Sequence, residues 1–244
     1  MTDDTETRSG PVPSGREVIE RVITATGEWQ LQRTGSHYEI ICNGVFLMAS
    51  YNRDSDRALA ALALRGIPGQ GLRVLVGGLG VGYTAQAALE DPRVERLDVA
   101  EIEPVVVAWH RAHFAGLCGQ PLEDPRTMLF LSDVYDVPLR SGSYDAVLLD
   151  TDNGPGWLVR EANARLYGPQ GLTGFLQALR PGGVLGCWSA EPAPRLAETL
   201  ARAGASVDVI EVEDRIAPDR RGTAWLYLAR NQRKRGNGET RKRG

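Results

Sequence analysis

Leu72-Arg73-Val74-Leu75-Val76-Gly77-Gly78-Leu79-Gly80-Val81-Gly82, continued by residues 83–90 and by Arg96-Leu97-Asp98-Val99-Ala100-Glu101, is the stretch that decides the fold. A short β-branched apolar run enters a glycine-rich turn, an alanine-rich segment at helical spacing follows, and a second apolar run stops at an acid. That order is a strand–turn–helix–strand unit of the nucleotide-binding kind. Glycines are needed because the backbone turns sharply out of a buried strand and passes close to a ligand, where a Cβ would obstruct it. Glu101 follows Gly82 by 19 positions, from 82 to 101. The usual offset of an acid that receives both ribose hydroxyls at the end of the second strand is about 20.

The turn reads Gly78-x-Gly80-x-Gly82, and a dinucleotide G-x-G-x-x-G would end on Tyr83. An S-adenosylmethionine-type ligand is therefore preferred to NAD, and a dinucleotide oxidoreductase is a distant reading. The 244 residues are 42% hydrophobic and 24% charged, enough for a sizeable core in one main domain with a small appendage. The formal charge is −3. From 230 to 244 seven basic side chains stand against Glu239, a net +6 that leaves −9 on the remainder. An acidic body argues against a nucleic-acid partner.

Residues 1–14 are acidic and contain Pro, Gly and Ser, and residues 231–244 lack apolar side chains; both are expected to be disordered. Neither a secretory signal nor an apolar run approaching about 18 residues is found, so no membrane contact is expected. Cys42, Cys118 and Cys187 show no C-x-x-C and no ligand spacing to His37, His110 or His113. A reducing, cytoplasmic setting without a metal follows, with the histidines read as structural.

Val18, Ile19, Val22 and Ile23 recur at helical spacing and predict a short amphipathic helix over 15–26. Residues 29–33, 38–42 and 45–48 read as three strands, the last two joined at the hairpin signal Asn43-Gly44. This N-terminal unit, residues 15–53, precedes an S-adenosyl-ligand-binding Rossmann-like domain over 54–230. Asp54-Ser55-Asp56 cap a helix to Leu64, and Pro104 starts another that reaches Phe114. Strands are read at 127–131, 144–149 and 184–188, helices at 172–179 and 193–203, and a closing hairpin at 206–212 and 224–229. The fold class is α/β: a doubly wound, seven-stranded, mostly parallel sheet with a small N-terminal antiparallel β-meander.

In such a sheet the ligand lies beyond the carboxyl ends of the strands. Those ends are Gly77 to Gly82, Glu101, Asp133 and Asp150-Thr151-Asp152-Asn153. Three of the four are acidic, which suits ribose, an adenine amino group and an amine acceptor. The β-meander, Val74-Leu75-Val76-Gly77-Gly78-x-Gly80-x-Gly82, Asp98-Val99-Ala100-Glu101-Ile102-Glu103-Pro104, Tyr144-Asp145 leading to Asp150, and Leu179-Arg180-Pro181-Gly182-Gly183 together resemble the spermidine synthase family over roughly 28–229.

That resemblance implies a class I methyltransferase-like fold, a homodimer, and transfer of an aminopropyl group from decarboxylated S-adenosylmethionine to a polyamine. It also implies Glu101 on the ribose and Asp133 on the adenine. Val81 stands where the family carries the acid that grips the donor's amine, which favours intact S-adenosylmethionine and makes small-molecule methyl transfer the alternative. Asn153 stands at the place of the family's catalytic acid, and Leu59 and Ala61 at those of its polyamine-contacting Tyr and Glu. Asp152 is then the expected base, with Asp150 holding acceptor or ribose. Trp157 and Trp188 are read as walls of the acceptor site. A non-catalytic nucleotide-sensing dimer is the remaining reading.

Overall fold

The structure is a computed structural model that describes residues 15–232. The segments read as disordered, 1–14 and 231–244, lie outside it except for Asn231 and Gln232. Four antiparallel strands come first and pair in sequence order: β1 (Arg16–Thr24), β2 (Gly27–Thr34), β3 (His37–Cys42) and β4 (Val45–Ala49). β1 corrects the expected helix over 15–26. All four apolar residues there are β-branched, and their restricted χ1 is tolerated better on a strand than in a helix. Pairing with β2, from Arg16 opposite Thr34 to Thr24 opposite Gly27, decides the outcome, with a bulge between Val18 and Glu20. Asn43 (φ 51°) and Gly44 (φ 76°) both adopt the left-handed conformation that a two-residue hairpin turn requires.

Strands and helices then alternate. α1 (Asp54–Arg65), β5 (Leu72–Gly77), α2 (Tyr83–Glu90) and β6 (Val94–Glu101) are followed by α3 (Pro104–Trp109). α3 continues through a π-helical turn, His110–Phe114, into α4 (Ala115–Cys118). Next come β7 (Thr127–Leu131), β8 (Tyr144–Leu149), α5 (Ala164–Tyr167) and α6 (Pro169–Ala178). β9 (Leu179–Ser189), α7 (Pro194–Arg202), β10 (Ala205–Ala217) and β11 (Arg220–Asn231) complete the described chain. The seven strands lie in the order β10-β11-β9-β8-β5-β6-β7. They are parallel from β9 to β7 and antiparallel at the β10–β11 hairpin. The expected sheet is present, with a closing hairpin longer than its apolar runs indicate.

Both faces of the sheet are covered, which is why its central strands read as continuous apolar runs without alternation. Val74 and Val76 of β5 pack with Leu59 and Ala63 of α1 on one face. Leu75 packs with Leu172 and Phe175 of α6 on the other. A third cluster joins the N-terminal sheet to the domain: Trp29, Leu31 and Ile40 meet Val81, Tyr83 and Trp109. The small sheet is thereby seated over the glycine turn.

Candidate active site

From β5 the chain runs outward through β6 to β7, then returns to the other side of β5 as β8. A crevice opens at the carboxyl ends where strand order reverses in this way. A cavity of about 520 Å³ occupies it, lined by Gly78, Gly80, Glu101, Asp133, Asp150 and Asp152 together with Trp29, Ile40 and Met48 of the N-terminal sheet. Strand order places Glu101 and Asp133 on one side of β5, and Asp150 and the β9–β10 residues on the other.

Gly78 has φ 91°, and a Cβ there would collide with the carbonyl oxygen of Asp150. The turn thus packs tightly on the chain leaving β8, in addition to bordering the cavity. Gly82 (φ 101°) opens α2 but is not in the cavity lining. It backs onto His110, whose Cε1 would lie 2.7 Å from an added Cβ.

Glu101 is buried at the end of β6. Its carboxylate accepts the N–H of Leu79 at 3.0 Å and that of Glu103 at 2.8 Å, so it braces the glycine turn from below while facing the cavity. Burial pushes its pKa up, opposed by the N–H groups of Glu103, Leu79 and Ile102. A carboxylate offers about four acceptor positions, enough for ribose-type donors as well. Glu101→Ala is expected to weaken an adenosyl-sulfur ligand by about tenfold or more, from the loss of a charge-assisted contact of roughly 1.5 to 3 kcal/mol. Orphaning the Leu79 N–H should also lower the melting temperature. Calorimetry and thermal melts read both effects, and undiminished affinity in a folded variant would remove Glu101 from the ligand site.

Asp133 follows β7, accepts the Tyr135 N–H at 2.9 Å and pairs with Arg165 at 2.8 Å. The Arg165 guanidinium also lies over the Tyr135 ring, 4.5 Å from its centroid. Asp152 is 5% exposed. It accepts from the N–H groups of Asn153 (2.9 Å), Val159 (2.6 Å) and Arg160 (3.4 Å) and from Asn163 Nδ2 (2.8 Å). Its carboxylate organises the loop after β8, and Asn153 Nδ2 ties that loop to the Phe46 carbonyl of the N-terminal sheet at 3.0 Å.

Asp150 is placed differently. Its Oδ2 lies 2.6 Å from Thr84 Oγ1, which is also 3.1 Å from the Asp56 carbonyl. The hydroxyl has one hydrogen and two acceptors in reach. A proton on Asp150 satisfies all three, because Asp150 then donates to Thr84 and Thr84 donates to the carbonyl. Burial, and secondarily the Asp214 carboxylate, push the Asp150 pKa up to about 6, against the lowering effect of the Thr84 bond.

Two acids that sequence reading missed complete this end. Asp56, in the first turn of α1, and Asp214, on β10, are 5% and 4% exposed and line the same cavity. Asp214 receives the N–H groups of Ser55 (3.1 Å), Asp54 (3.3 Å) and Arg215 (2.7 Å) and the Ser55 hydroxyl. It thereby caps α1, whose own N-cap residue, Arg53, makes no side-chain cap. Trp188 also lines the cavity and donates Nε1 to Ser55 Oγ at 2.9 Å; Trp157 borders the cavity as well. Burial first, then Asp150 and Asp214, hold the Asp56 carboxyl well above the usual range. No local pattern distinguishes Asp56 from an ordinary capping acid or Asp214 from its neighbours Glu211 and Glu213. Only the pairing of distant segments brings them together.

A raised carboxyl pKa means that the folded chain binds the proton more tightly than the unfolded chain does. The stability withheld by Asp150 is largest above about pH 6 and is recovered as pH falls toward the ordinary value of 3.8. Asp150→Asn should therefore melt higher than the parent chain at pH 7.5, by an amount corresponding to on the order of 3 kcal/mol, with the gap closing near pH 4.5. Melts at both pH values check this, and a gap that widens in acid would contradict it.

Val81 does not face the ligand space. It is 1% exposed, within the cluster of Trp29, Ile40 and Tyr83, and is absent from the cavity lining. Its expected position opposite the donor's amine is corrected accordingly: the N-terminal sheet, invisible to motif spacing, covers that side of the turn.

The strand order, the glycine turn and the acid closing the second parallel strand define a class I methyltransferase-like fold. A spermidine synthase crystallised with the transition-state analogue AdoDATO superimposes with a TM-score of 0.74, at 15% identity, over 88% of this chain and 73% of that one. No known family profile matches the chain. In sequence it is 34% identical over 132 residues to putrescine N-methyltransferase 1 of Nicotiana tabacum, spanning 53% of this chain and 33% of that protein. It is 31% identical over 137 residues to a spermidine synthase of Coffea arabica, spanning 54% and 40% respectively. The match thus spans well under half the length of these curated relatives. Over about half of its length the chain is thus similar in sequence to a putrescine N-methyltransferase and a spermidine synthase, and in fold it is similar to a spermidine synthase.

Proposed function

We propose that this chain is a transferase that moves an alkyl group from an S-adenosylmethionine-type sulfonium donor to a small amine acceptor. The observation that carries the reading is one cavity with the braced glycine turn and Glu101 toward β6 and the buried acids Asp150 and Asp56 toward α1 and β10. The bound donor supplies an electrophilic carbon on sulfur. Glu101 holds its ribose, the Gly78–Gly80 backbone admits it closely, and Asp133 borders the adenine end. Asp150 receives the proton that the amine loses as its nitrogen bonds to carbon and the carbon–sulfur bond breaks. Such proton transfer contributes about 10²- to 10⁴-fold. Asp152 orients the loop after β8, and Trp157 and Trp188 wall the acceptor. The spermidine synthase resemblance brings a homodimer and a cytoplasmic setting into the proposal. No helix among the described residues is long and apolar enough to cross a membrane.

The relatives' names divide between methyl and aminopropyl transfer, and the glycine turn favours the carboxylated donor. The part of the turn that lines the cavity, Gly78 and Gly80, presents no acid to a donor ammonium. Calorimetry with S-adenosylmethionine, its decarboxylated form and methylthioadenosine tests the assignment. S-Adenosylmethionine is expected to bind at least as tightly as the decarboxylated donor. A tenfold preference for the latter, about 1.4 kcal/mol, would make aminopropyl transfer the better reading, and absence of binding by all three would end the proposal.

A further inference from the structure

Several acids line the cavity, yet two arginines, Arg160 and Arg220, belong to the same lining. Neither guanidinium makes an ion pair or a hydrogen bond with a described residue. Arg220 is exposed at the start of β11, whereas Arg160 is half-buried. The backbone that carries Arg160 is fixed. Its N–H and that of Val159 are donated to the Asp152 carboxylate, and Val159 packs against the cluster that holds Val81 and Cys42. Burial, then Glu103, push the Cys42 thiol up to about 11, and the Arg160 charge opposes them. The guanidinium therefore reaches toward the end of β3, on the flank of the glycine turn that the N-terminal sheet covers.

Asp152, Glu101 and Asp133 share the lining but are engaged elsewhere. Asp152 holds the donors of its own loop, Glu101 braces the glycine turn, and Asp133 pairs with Arg165. A guanidinium is always charged and is a donor only. A ligand that fills the cavity strips solvent from it, and donors left so stripped are costly unless the ligand brings acceptors. A planar carboxylate matches the fork of a guanidinium with paired, charge-assisted hydrogen bonds. Strand order supplies the direction. From β7 to β8 the strand ends carry Asp133, Glu101, the glycine turn and the loop that runs from Asp150 to Arg160. With the adenine end at Asp133 and the ribose at Glu101, the remainder of a donor extends toward that loop.

We infer that Arg160 is a specificity-determining residue that receives a carboxylate carried by the ligand, whether the α-carboxylate of S-adenosylmethionine or one on the amine acceptor. This deepens the transferase reading and rests on it for the identity of the ligands. Arg160 gives the cavity a means to discriminate against partners that carry positive charge alone.

Titration calorimetry on the full chain, Arg160→Gln, Arg160→Lys and Arg220→Gln tests the inference. The donor probes are S-adenosylmethionine, its decarboxylated form and methylthioadenosine; the acceptor probes, added with saturating methylthioadenosine, are 4-aminobutanoate and 1,4-diaminobutane. Arg160→Gln should bind a carboxylated probe at least tenfold more weakly, should hold methylthioadenosine within about twofold, and should bind the purely cationic probes as well as the parent does or better. Arg160→Lys keeps the charge without the fork and should recover part of the loss. A loss on S-adenosylmethionine assigns Arg160 to the donor's carboxylate; a loss on 4-aminobutanoate alone assigns it to the acceptor's. The melting temperature of Arg160→Gln should stay close to that of the parent, since no ion pair is removed.

Unchanged affinity for both carboxylated probes, or no binding of either by the parent, would overturn the inference. So would an equal loss in Arg220→Gln, which would mark a general effect of cavity charge. A variant that melts several degrees lower and loses methylthioadenosine too would mark a purely structural residue and overturn it as well. If methylthioadenosine fails to bind the parent while 4-aminobutanoate binds in an Arg160-dependent way, the donor reading falls and the Arg160 assignment stands.

Discussion

Asp150→Asn is expected to lower turnover of an amine acceptor by about 10²- to 10⁴-fold, the range associated with loss of a positioned general base, while leaving methylthioadenosine affinity within about twofold of the parent. Asparagine can donate its Nδ2–H to Thr84 Oγ1, leaving the hydroxyl hydrogen for the Asp56 carbonyl, so the local geometry survives. It has no charge with which to take the amine's proton. Glu101, proposed for the donor's ribose, lies across β5, and its carboxylate takes the N–H groups of Leu79 and Glu103 rather than any group of Asp150. Asp152→Asn should behave differently. Its carboxylate receives four donors from its own loop, and weakening them should show first as a lower melting temperature and a raised KM. If Asp152→Asn abolishes turnover at an unchanged melting temperature while Asp150→Asn remains active, the base is Asp152, as the resemblance to the family's motif implies.

Val81→Asp should be severe in another way. The motif comparison treats this position as a tuning point for the donor, where an acid would shift preference toward the decarboxylated form. The fold puts the side chain among Trp29, Ile40, Tyr83 and Trp109, with 1% of its surface exposed. A carboxylate there is buried without a donor, and losses beyond about 4 kcal/mol are associated with that kind of change. At about 2–4 °C per kcal/mol for a chain of this size, the melting temperature should fall by roughly 8 °C or more. Denaturant unfolding of Val81→Asp beside Val81→Ala separates the charge from the lost volume. An aspartate variant that melts like the alanine one and now prefers the decarboxylated donor would show that position 81 reaches the ligand.

The contrast between Val81 and Glu101 shows what was legible in the chain. β5, the turn, α2 and β6 are contiguous, so their apolar runs, glycines and terminal acid could be read in a single pass. β1 was misread because Val18-Ile19 and Val22-Ile23 satisfy a helical spacing while their branched side chains and the partner strand favour extension. Asp152 was recognisable as an acid at a strand end. Its ties to Val159, Arg160 and Asn163 depend on how the following loop closes, which no spacing rule encodes. Asp56 and Asp214 were opaque for the same reason on a larger scale, being joined through a helix start and a strand from opposite ends of the domain.

That last connection bears on how the chain is made. The acid that completes the amino end of α1 is 159 positions beyond Ser55, so at about 5–20 residues per second of synthesis roughly 8 to 30 s separate their appearance at the ribosome. Throughout that interval the carboxylate that receives the Asp54 and Ser55 amides at the start of α1 is missing from the chain. The acidic pocket comes into being only when the final hairpin closes. A nascent chain can therefore have its whole glycine turn synthesised well before the acid that closes the far side of the cavity exists.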